Sequence, residues 1–284
     1  MKLFFLMNPS RPQRDRWRPA ALQTAQRYGH IADVGIINRD DPYSMENLLQ
    51  RVFAENYNRV VAVGGDGTFN RLIQLLAKYN QLAKMEVGLV PAGTCNDFLR
   101  SWRLPARRIL EAIRLACTGR PQETDLGELN HQLFLNNAGF GRRIIPATRR
   151  RISALKTLRQ FEAVPLRATW EQGSLEGPFF MGLVCNAPFF SRGLHFSRQV
   201  LTNDGLLDVF LVPKIPKAKL AAMLLLGRLG RPLRSRQLVT LRVNRIEMET
   251  EKDLWPQLDG EPQSSLPVRH LHFAISKLKA WIVR

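Results

Sequence analysis

The first residues that could carry chemistry form a glycine-rich turn with one carboxylate, Gly64-Gly65-Asp66-Gly67-Thr68. Residues 60–63 before it are small and mostly β-branched, which predicts a buried strand, and a helical apolar pattern follows it. Glycines let backbone N–H groups approach an anion, and a helix N-terminus adds partial positive charge. We interpret the turn as a phosphate site. The alternative is an ordinary tight turn in which Asp66 or Thr68 caps the helix.

The carboxylate of Asp66 would repel a polyphosphate ligand. We therefore expect either a divalent cation between the two or proton uptake by Asp66 during the reaction.

A second glycine turn repeats this layout one strand later. Residues 87–90 predict another buried strand, which leads into Gly93-Thr94-Cys95-Asn96-Asp97-Phe98. Strands that alternate with helices indicate a parallel sheet, whose sites form at the carboxyl ends of the strands. Both turns are therefore expected to face one ligand. Read alone, Thr94 and Asn96 would be helix caps.

Acidic turns stand in the second half of the chain, at Asp204-Gly205 and at Asp259-Gly260-Glu261. Two carboxylates on one turn can have different roles in catalysis. One can align a nucleophile, and the other can hold that nucleophile or a nearby cation. The alternatives are a surface turn at Asp259 and a metal-free Asp-Gly hairpin at Asp204.

The elements that position these residues fall into two groups. Strand and helix patterns alternate up to Gly119, where a glycine and a proline mark a break, and the later segments are mostly β-rich. We predict an α/β domain over residues 1–121 and a β domain over residues 122–276. The last segment, residues 277–284, is predicted to return to the first domain as a strand.

Charge is the most unusual feature of the composition. The 284 residues include 42 Lys and Arg against 24 Asp and Glu, a net charge of +18, which favours polyanionic partners such as anionic lipid, phosphorylated substrates or nucleic acid. A generally basic proteome or simple solubility would explain the charge equally well. The three scattered cysteines indicate a reducing compartment without disulfides or structural zinc.

The sequence predicts a cytoplasmic protein without a targeting segment. The first apolar run, residues 3–7, is too short for a signal peptide, and the longest later run, residues 220–226, is too short to span a membrane. Any membrane contact is therefore expected to be peripheral, at the inner face.

The ordered set of motifs resembles the diacylglycerol kinase catalytic domain family, above all its bacterial soluble lipid kinases and more distantly the sphingosine kinases. The turns at residues 64–68 and 93–98, the segment 203–209 and Asp259-Gly260-Glu261-Pro262 carry the resemblance. A Walker A loop and a Gly-x-Gly-x-x-Gly fingerprint are both absent from these turns. NAD kinases and phosphofructokinases carry a similar Gly-Gly-Asp-Gly turn, so that turn alone names a superfamily.

The resemblance implies a three-layer, Rossmann-like α/β domain that binds ATP, followed by an antiparallel β-sandwich. Asn38 falls where the bacterial relatives place a nucleotide-binding threonine. The resemblance implies that the following residues bind the nucleotide: Asn38, Gly64, Gly65, Asp66, Gly67, Thr68, Thr94, Asn96 and Asp97.

For metal and catalysis the resemblance implies two further sets. A structural Mg²⁺ would be held by Asp204 and by the backbone carbonyls of Leu201 and Leu206. Asp259, with Glu261 second, would be the general base that deprotonates the lipid hydroxyl. Apart from the resemblance, we expect Arg142 or Arg143 to offset charge on the γ-phosphate.

Two basic segments are candidate membrane faces. Residues 142–167 interleave arginines with isoleucine and leucine, and residues 217–236 form a basic insertion between β segments. The alternative for the first is a helix packed on the second domain with its arginines outward.

We therefore predict an ATP- and Mg²⁺-dependent lipid kinase whose acceptor is a diacylglycerol-like, sphingoid or phosphatidylglycerol-like lipid. One rival is an NAD or sugar kinase on the same scaffold. Another is a basic scaffold with a lapsed site that binds membrane or nucleic acid, although the intact acids make us expect no nucleic acid partner. The sequence leaves the oligomeric state open.

Overall fold

The structure is a computed structural model that describes residues 1–8, 14–93, 95–101, 108–141, 162–191, 193–262 and 266–284. It divides into two compact units. Unit 1 comprises Met1–Thr124 together with Leu278–Arg284, and unit 2 comprises Asp125–Lys277. The basic residues 142–161, with Arg142 and Arg143, lie outside the described residues, as does Thr94.

Unit 1 is built on a parallel sheet. Its strands are β1 (Lys2–Met7), β2 (Ile31–Ile36), β3 (Arg59–Gly64) and β4 (Glu86–Pro91), in the order β2-β1-β3-β4. The end of the last strand of the chain, β15 (Val268–Val283), pairs with β4 in parallel. The turns after β3 and β4 consequently leave the same edge of the sheet, because neighbouring parallel strands end on one side.

Helices cover both faces of this sheet. They are α1 (Arg14–Arg27), α2 (Ser44–Ala54), α3 (Asp66–Lys78), α4 (Asp97–Ser101) and α5 (Ile109–Thr118). Leu3 and Phe5 of β1 share a buried cluster with Ala21 of α1 and Ile113 of α5, whereas Phe4 points the other way and meets Tyr57 edge to ring. Burial on both faces explains why β1, β3 and β4 are mostly apolar without alternation.

Unit 2 is an antiparallel β structure. Its strands are β5 (Pro121–Leu129, which starts in unit 1), β6 (Gln132–Phe134), β7 (Asn137–Gly141), β8 (Val164–Trp170), β9 (Gly173–Cys185), β10 (Leu207–Pro213), β11 (Val239–Val243), β12 (Arg245–Leu254), β13 (Gln257–Leu258) and β14 (Glu261–Pro262), with most of β15. The longest ladder runs β14-β13-β7-β9-β8-β12-β15, and β10 also pairs with β9 and with β11. One helix, α6 (Lys217–Arg228), is inserted between β10 and β11.

Strand β9 separates two cores in unit 2. Phe179 and Val184 belong to a cluster with β7, β10 and β15, while Phe180 and Leu183 face a second cluster that includes Leu220 of α6. The predicted architecture, a three-layer α/β domain followed by a β-sandwich, is confirmed.

Some elements have features that the sequence analysis did not predict. Helix α1 begins at Arg14 and contains Pro19. Strand β8 was not predicted. Helix α6 ends at Arg228 because Gly230 follows with a φ of +78°, a glycine conformation that stops helices, so residues 229–236 of the basic insertion are not helical.

Among the described helices, none is long and apolar enough to span a lipid bilayer.

Candidate active site

The first glycine turn ends β3 and starts α3. Gly65 is the N-cap residue, with an extended backbone, and its carbonyl accepts the first helical bond from the N–H of Phe69 at 3.1 Å. A Cβ on Gly67 would meet no atom within 4 Å, and the residue is exposed. The turn therefore leaves open space beside the first N–H groups of a helix, which is the geometry that accepts a phosphate.

The second glycine turn lies directly against the first. Gly64 and Pro91 are register partners, and the N–H of Ala92 donates to the carbonyl of Gly64 at 2.7 Å. A Cβ on Gly65 would lie 2.9 Å from the Cα of Gly93, and one on Gly93 would overlap the Cα of Gly65. The structure thus brings the two turns together by backbone contact that only glycine permits.

Asp66 joins the two turns. Its carboxylate accepts the N–H groups of Asp97 at 3.0 Å and Phe98 at 3.2 Å, at the start of α4. Burial raises the pKa of Asp66, and the backbone donors partly oppose that rise. The sequence alternative placed Asp66 as a cap of the helix that follows it. The structure shows instead that it caps the helix after the neighbouring strand.

Asn96 and Asp97 hold the second turn from within. The Asn96 side chain accepts the N–H of Gly93 at 3.1 Å and donates to its carbonyl at 3.0 Å, with its own backbone at a φ of +52°. Both Asn96 and Asp97 are buried. Their predicted role in nucleotide binding stays a prediction, as does that of Thr94.

An arginine beside the first turn, Arg39, was missed by sequence reasoning. Asn8, at the end of β1, donates to the hydroxyl of Thr68 at 3.0 Å and accepts from Nε of Arg39 at 3.3 Å. Arg39 is exposed. The available signal was an arginine a few residues after a parallel strand, at the edge where the site was expected.

Asn38 forms hydrogen bonds within the turn between β2 and α2. Its carboxamide oxygen accepts the N–H of Asp40 at 3.1 Å, and its own N–H donates to Ser44 Oγ at 2.8 Å. The hydroxyl of Ser44 thereby holds the loop before α2 in place. The predicted nucleotide contact of Asn38 stays a prediction, and Arg39 is the neighbouring side chain aimed at the Asn8–Thr68 pair.

The acid turn of unit 2 lies between β13 and β14. The Asp259 carboxylate accepts backbone N–H groups from Leu135 at 2.9 Å, Asn136 at 2.7 Å and Asn137 at 3.0 Å. The N–H of Asp259 in turn donates to the carbonyl of Asn137 at 2.7 Å, and its φ is +49°. These bonds fix the orientation of the carboxylate and attach the acid turn to the start of β7.

Glu261, the second acid of the turn, is exposed on β14, opposite Leu258. The two acids therefore differ in setting, because one is oriented by the backbone and the other faces solvent.

Asp204, the predicted magnesium ligand, has a different counter-ion in this structure. Its Oδ1 accepts the N–H of Leu206 at 3.1 Å, and its Oδ2 is paired with Nη2 of Arg242. Arg242 lies cross-strand from Asp208 in the β10–β11 ladder, with its Nε 3.7 Å from Asp208 Oδ1. The ladder register itself places the guanidinium beside both carboxylates.

This arrangement does not fit a metal ion at Asp204. Mg²⁺ needs carboxylate or carbonyl oxygens turned toward it, and here the positively charged guanidinium of Arg242 lies beside Asp204 where a metal cation would have to bind. Within the described ranges no group of three or more His, Cys, Asp or Glu side chains is arranged to hold a metal. The metal role predicted for Leu201, Asp204 and Leu206 stays a prediction.

Asp125 is a buried anchor. Asp125 is only 2% exposed, so it is not a solvated residue at a strand edge. Its Oδ2 accepts the N–H of Gly205 at 2.7 Å, and its own N–H donates to the carbonyl of Thr202 at 2.7 Å. Asp125 thus holds the turn that carries Asp204.

Comparison with known families covers both halves of the chain. The diacylglycerol kinase catalytic domain matches residues 2–129, and the YegS C-terminal NAD kinase beta sandwich-like domain matches residues 136–278.

Similar proteins of known name agree with these matches. A diacylglycerol kinase of Bacillus subtilis (strain 168) is 28% identical over 244 residues, which cover 79% of this chain and 80% of that protein. A diacylglycerol kinase of Staphylococcus aureus (strain bovine RF122 / ET3-1) is 25% identical over 285 residues, 94% of this chain and 88% of that protein. The fold is similar to the crystal structure of a diacylglycerol kinase from Bacillus anthracis (strain Sterne), with a TM-score of 0.77 at 21% identity over 99% of this chain and 96% of that one.

The two glycine turns at the sheet edge and the acid turn of the β-sandwich are thus found in a chain whose two halves match the two domains of one family. The chain belongs to the diacylglycerol kinase family and is an enzyme of the lipid kinase class.

Proposed function

We propose that the protein transfers the γ-phosphate of ATP to a hydroxyl group of a lipid. The observation that carries this proposal is the backbone contact between Gly65 and Gly93, tied by Asp66, at the carboxyl edge of a parallel sheet. Phosphoryl transfer depends mainly on positioning and on neutralising charge, and a glycine cradle at a helix N-terminus serves both.

In this proposal unit 1 binds the nucleotide. The exposed Gly67 lets a phosphate approach the first turn of α3, and Arg39 adds a guanidinium next to the Asn8–Thr68 pair. Residues 64–68 and 93–97, with Asn38 at the end of β2, form the proposed nucleotide set. We propose that ATP is used as its Mg²⁺ complex, in which the cation offsets phosphate charge.

Unit 2 supplies the acid in this proposal. The lipid hydroxyl oxygen attacks the γ-phosphorus, the bond to the β–γ bridging oxygen breaks, and ADP leaves. The hydroxyl proton passes to a carboxylate of the turn at residues 259–261. Asp259 is the first candidate because three backbone N–H groups hold its carboxylate in one orientation, and Glu261 is the second.

The acceptor is proposed from the relatives. Proteins named diacylglycerol kinase match across most of this chain, so diacylglycerol is the first acceptor to test, followed by sphingoid and phosphatidylglycerol-like lipids. We propose that the enzyme meets this acceptor at the inner face of the membrane.

The test is ATP consumption with Mg²⁺ against this lipid panel in mixed micelles, with NAD and a sugar phosphate as soluble acceptors. Turnover that requires a lipid supports the proposal. Turnover with NAD or a sugar alone would assign the chain to another reaction on the same scaffold. Failure of ATP to bind would contradict the nucleotide role of unit 1.

A further inference from the structure

Helix α6 exposes leucine side chains on the face that points away from its own core. Leu225 is 62% exposed, Leu226 is 41% exposed and Leu229, the C-cap residue, is 72% exposed. Ala218 and Ala222, which are also exposed, continue the same face toward the start of the helix. We refer to Leu225, Leu226 and Leu229 as the leucine patch.

The opposite face of α6 fixes the helix in place. Leu220 and Met223 are buried in the second core of unit 2, together with Phe210 and Leu233. A Cβ on Gly227 would lie 2.9 Å from Leu194 Cδ2 and would overlap Leu233, so α6 is closely packed at this point. The helix cannot rotate the leucine patch inward without expelling this core face.

An apolar helix that is only half covered by its own protein needs an explanation. The sequence Lys-Ala-Lys-Leu-Ala-Ala-Met-Leu-Leu-Leu-Gly-Arg is apolar around its whole circumference after its first turn. Such helices are normally buried on all sides, and an exposed apolar patch with a polar rim marks an interaction site.

The charges around the patch indicate what covers it. From residue 209 to residue 246 the chain contains nine Lys or Arg residues and no Asp or Glu. The exposed basic residues on and beside α6 along the chain include Lys214, Lys219, Arg231, Arg234 and Arg236. Within the described part of the chain, none of these five takes part in an ion pair. Their charge is therefore available to an external anion.

A second copy of this chain fits this surface poorly. Two such patches facing each other would hide the leucines but would also bring two acid-free basic rims together, and like charges in contact disfavour association. An anionic lipid surface satisfies both features, because leucines enter the interfacial region while lysine and arginine remain at the headgroups.

We propose that the leucine patch and its basic rim form a docking surface for an anionic bilayer. This inference rests on the proposed function, since it names the surface on which a lipid kinase would meet its acceptor. The helix lies in the membrane interface and does not span it.

Co-sedimentation with vesicles tests the proposal. The wild-type protein should bind phosphatidylglycerol-containing vesicles at least tenfold more strongly than pure phosphatidylcholine vesicles, and added salt should weaken the binding. The double variant Leu225→Ser and Leu229→Ser should lose at least tenfold in binding. A variant with Arg231, Arg234 and Arg236 changed to Gln should lose the preference for anionic vesicles.

Leu110→Ser is the matched control, because Leu110 is 66% exposed on α5 of unit 1, outside the patch. It should bind vesicles like the wild type. Equal binding by wild type and the Leu225/Leu229 variant would overturn the proposal. So would a change from dimer to monomer in that variant, without loss of vesicle binding, because the patch would then be a contact between copies.

Kinase activity measured on a monomeric short-chain acceptor keeps this test separate from the proposed function. All variants should retain that activity, because the acceptor is not in a bilayer. If no acceptor is phosphorylated while the patch still directs vesicle binding, the proposed function fails and the docking surface stands. If the acceptor is phosphorylated but binding ignores the patch, only the docking surface fails.

Discussion

The carboxylate of Asp66, which follows β3, accepts the backbone N–H of Asp97, which follows β4, at 3.0 Å. The bond joins two turns that belong to neighbouring strands, and it comes with a backbone contact between Gly65 and Gly93. A side chain on one turn therefore sets the position of the other, so we expect the two turns to respond to a nucleotide as one unit.

The substitution Gly67→Ala should have opposite effects on the stability of the fold and on ATP binding. Gly67 is the second residue of α3, and a Cβ there meets no protein atom within 4 Å, so alanine should stabilise the fold by up to about 1 kcal/mol. If a phosphate approaches this backbone, the same methyl group should raise the KM for ATP about tenfold or more, a loss of roughly 1.4 kcal/mol. Thermal unfolding and ATP titration measure the two effects. An unchanged KM would place the nucleotide elsewhere.

Cys95 should report on nucleotide binding. It is partly exposed in the second glycine turn, whereas Cys117 and Cys185 are buried. Burial raises the pKa of Cys117 to about 11 and that of Cys185 well above its usual range, so both thiols should react slowly at pH 8.

We therefore expect an alkylating reagent to label Cys95 first and ATP to slow that labelling at least several-fold, as seen by peptide mapping. Cys117 and Cys185 are internal controls whose slow labelling should not respond to ATP. Labelling of Cys95 at the same rate with saturating ATP would argue against a nucleotide at this turn.

Asp259→Asn and Glu261→Gln form a matched pair on the acid turn. Asp259→Asn turns an amide toward backbone N–H groups that now bond to a carboxylate, so stability should fall by about 2 kcal/mol. Because Asp259 is the proposed base, this substitution should also lower kcat about 10²-fold to 10⁴-fold. Glu261→Gln, at an exposed position, should leave stability unchanged within about 0.5 kcal/mol and reduce kcat far less.

Nucleotide binding by Asp259→Asn shows whether unit 1 remains folded in this variant. A larger loss of kcat in Glu261→Gln than in Asp259→Asn would move the base to Glu261.

Because Arg242 pairs with Asp204, we expect that the stability of the turn at Asp204 does not depend on a metal ion. Arg242→Ala removes the cation beside Asp204 and Asp208, so stability should fall by about 2 kcal/mol, and Mg²⁺ should restore part of it. Without nucleotide, the wild-type unfolding temperature should be the same in EDTA and in Mg²⁺. Arg245→Ala, which removes a neighbouring surface arginine paired with Glu247, should change little in either condition. A wild-type midpoint that rises with Mg²⁺ would instead support the metal role predicted for Asp204.

The local parts of the fold were predictable. Short stretches of sequence predict β3 and β4, because each is an apolar, β-branched run followed by a glycine turn. The structure has these strands at residues 59–64 and 86–91. The meeting of the two turns followed from the parallel sheet, because adjacent parallel strands end at one edge.

The partners of the acids were not predictable. The pairing of Arg242 with Asp208 depends on the register of β10 against β11, which lie on either side of the inserted α6. The contacts of Asp259 with residues 135–137 join segments more than a hundred residues apart. No local pattern encodes such pairings, so the sequence assigned chemistry to Asp204 and Asp259 without showing what holds them.

The most direct test follows the phosphate itself. ATP labelled in its γ-phosphate is incubated with the enzyme and Mg²⁺ in parallel reactions that contain short-chain diacylglycerol, another lipid of the panel, NAD or a sugar phosphate, and each reaction is extracted into organic solvent. We predict label in the lipid phase, in molar excess over enzyme, that is lost in Asp259→Asn. Label that appears in NAD or sugar phosphate, or that remains in ATP with every lipid tested while the enzyme binds ATP, would contradict the assignment of a lipid hydroxyl as the acceptor.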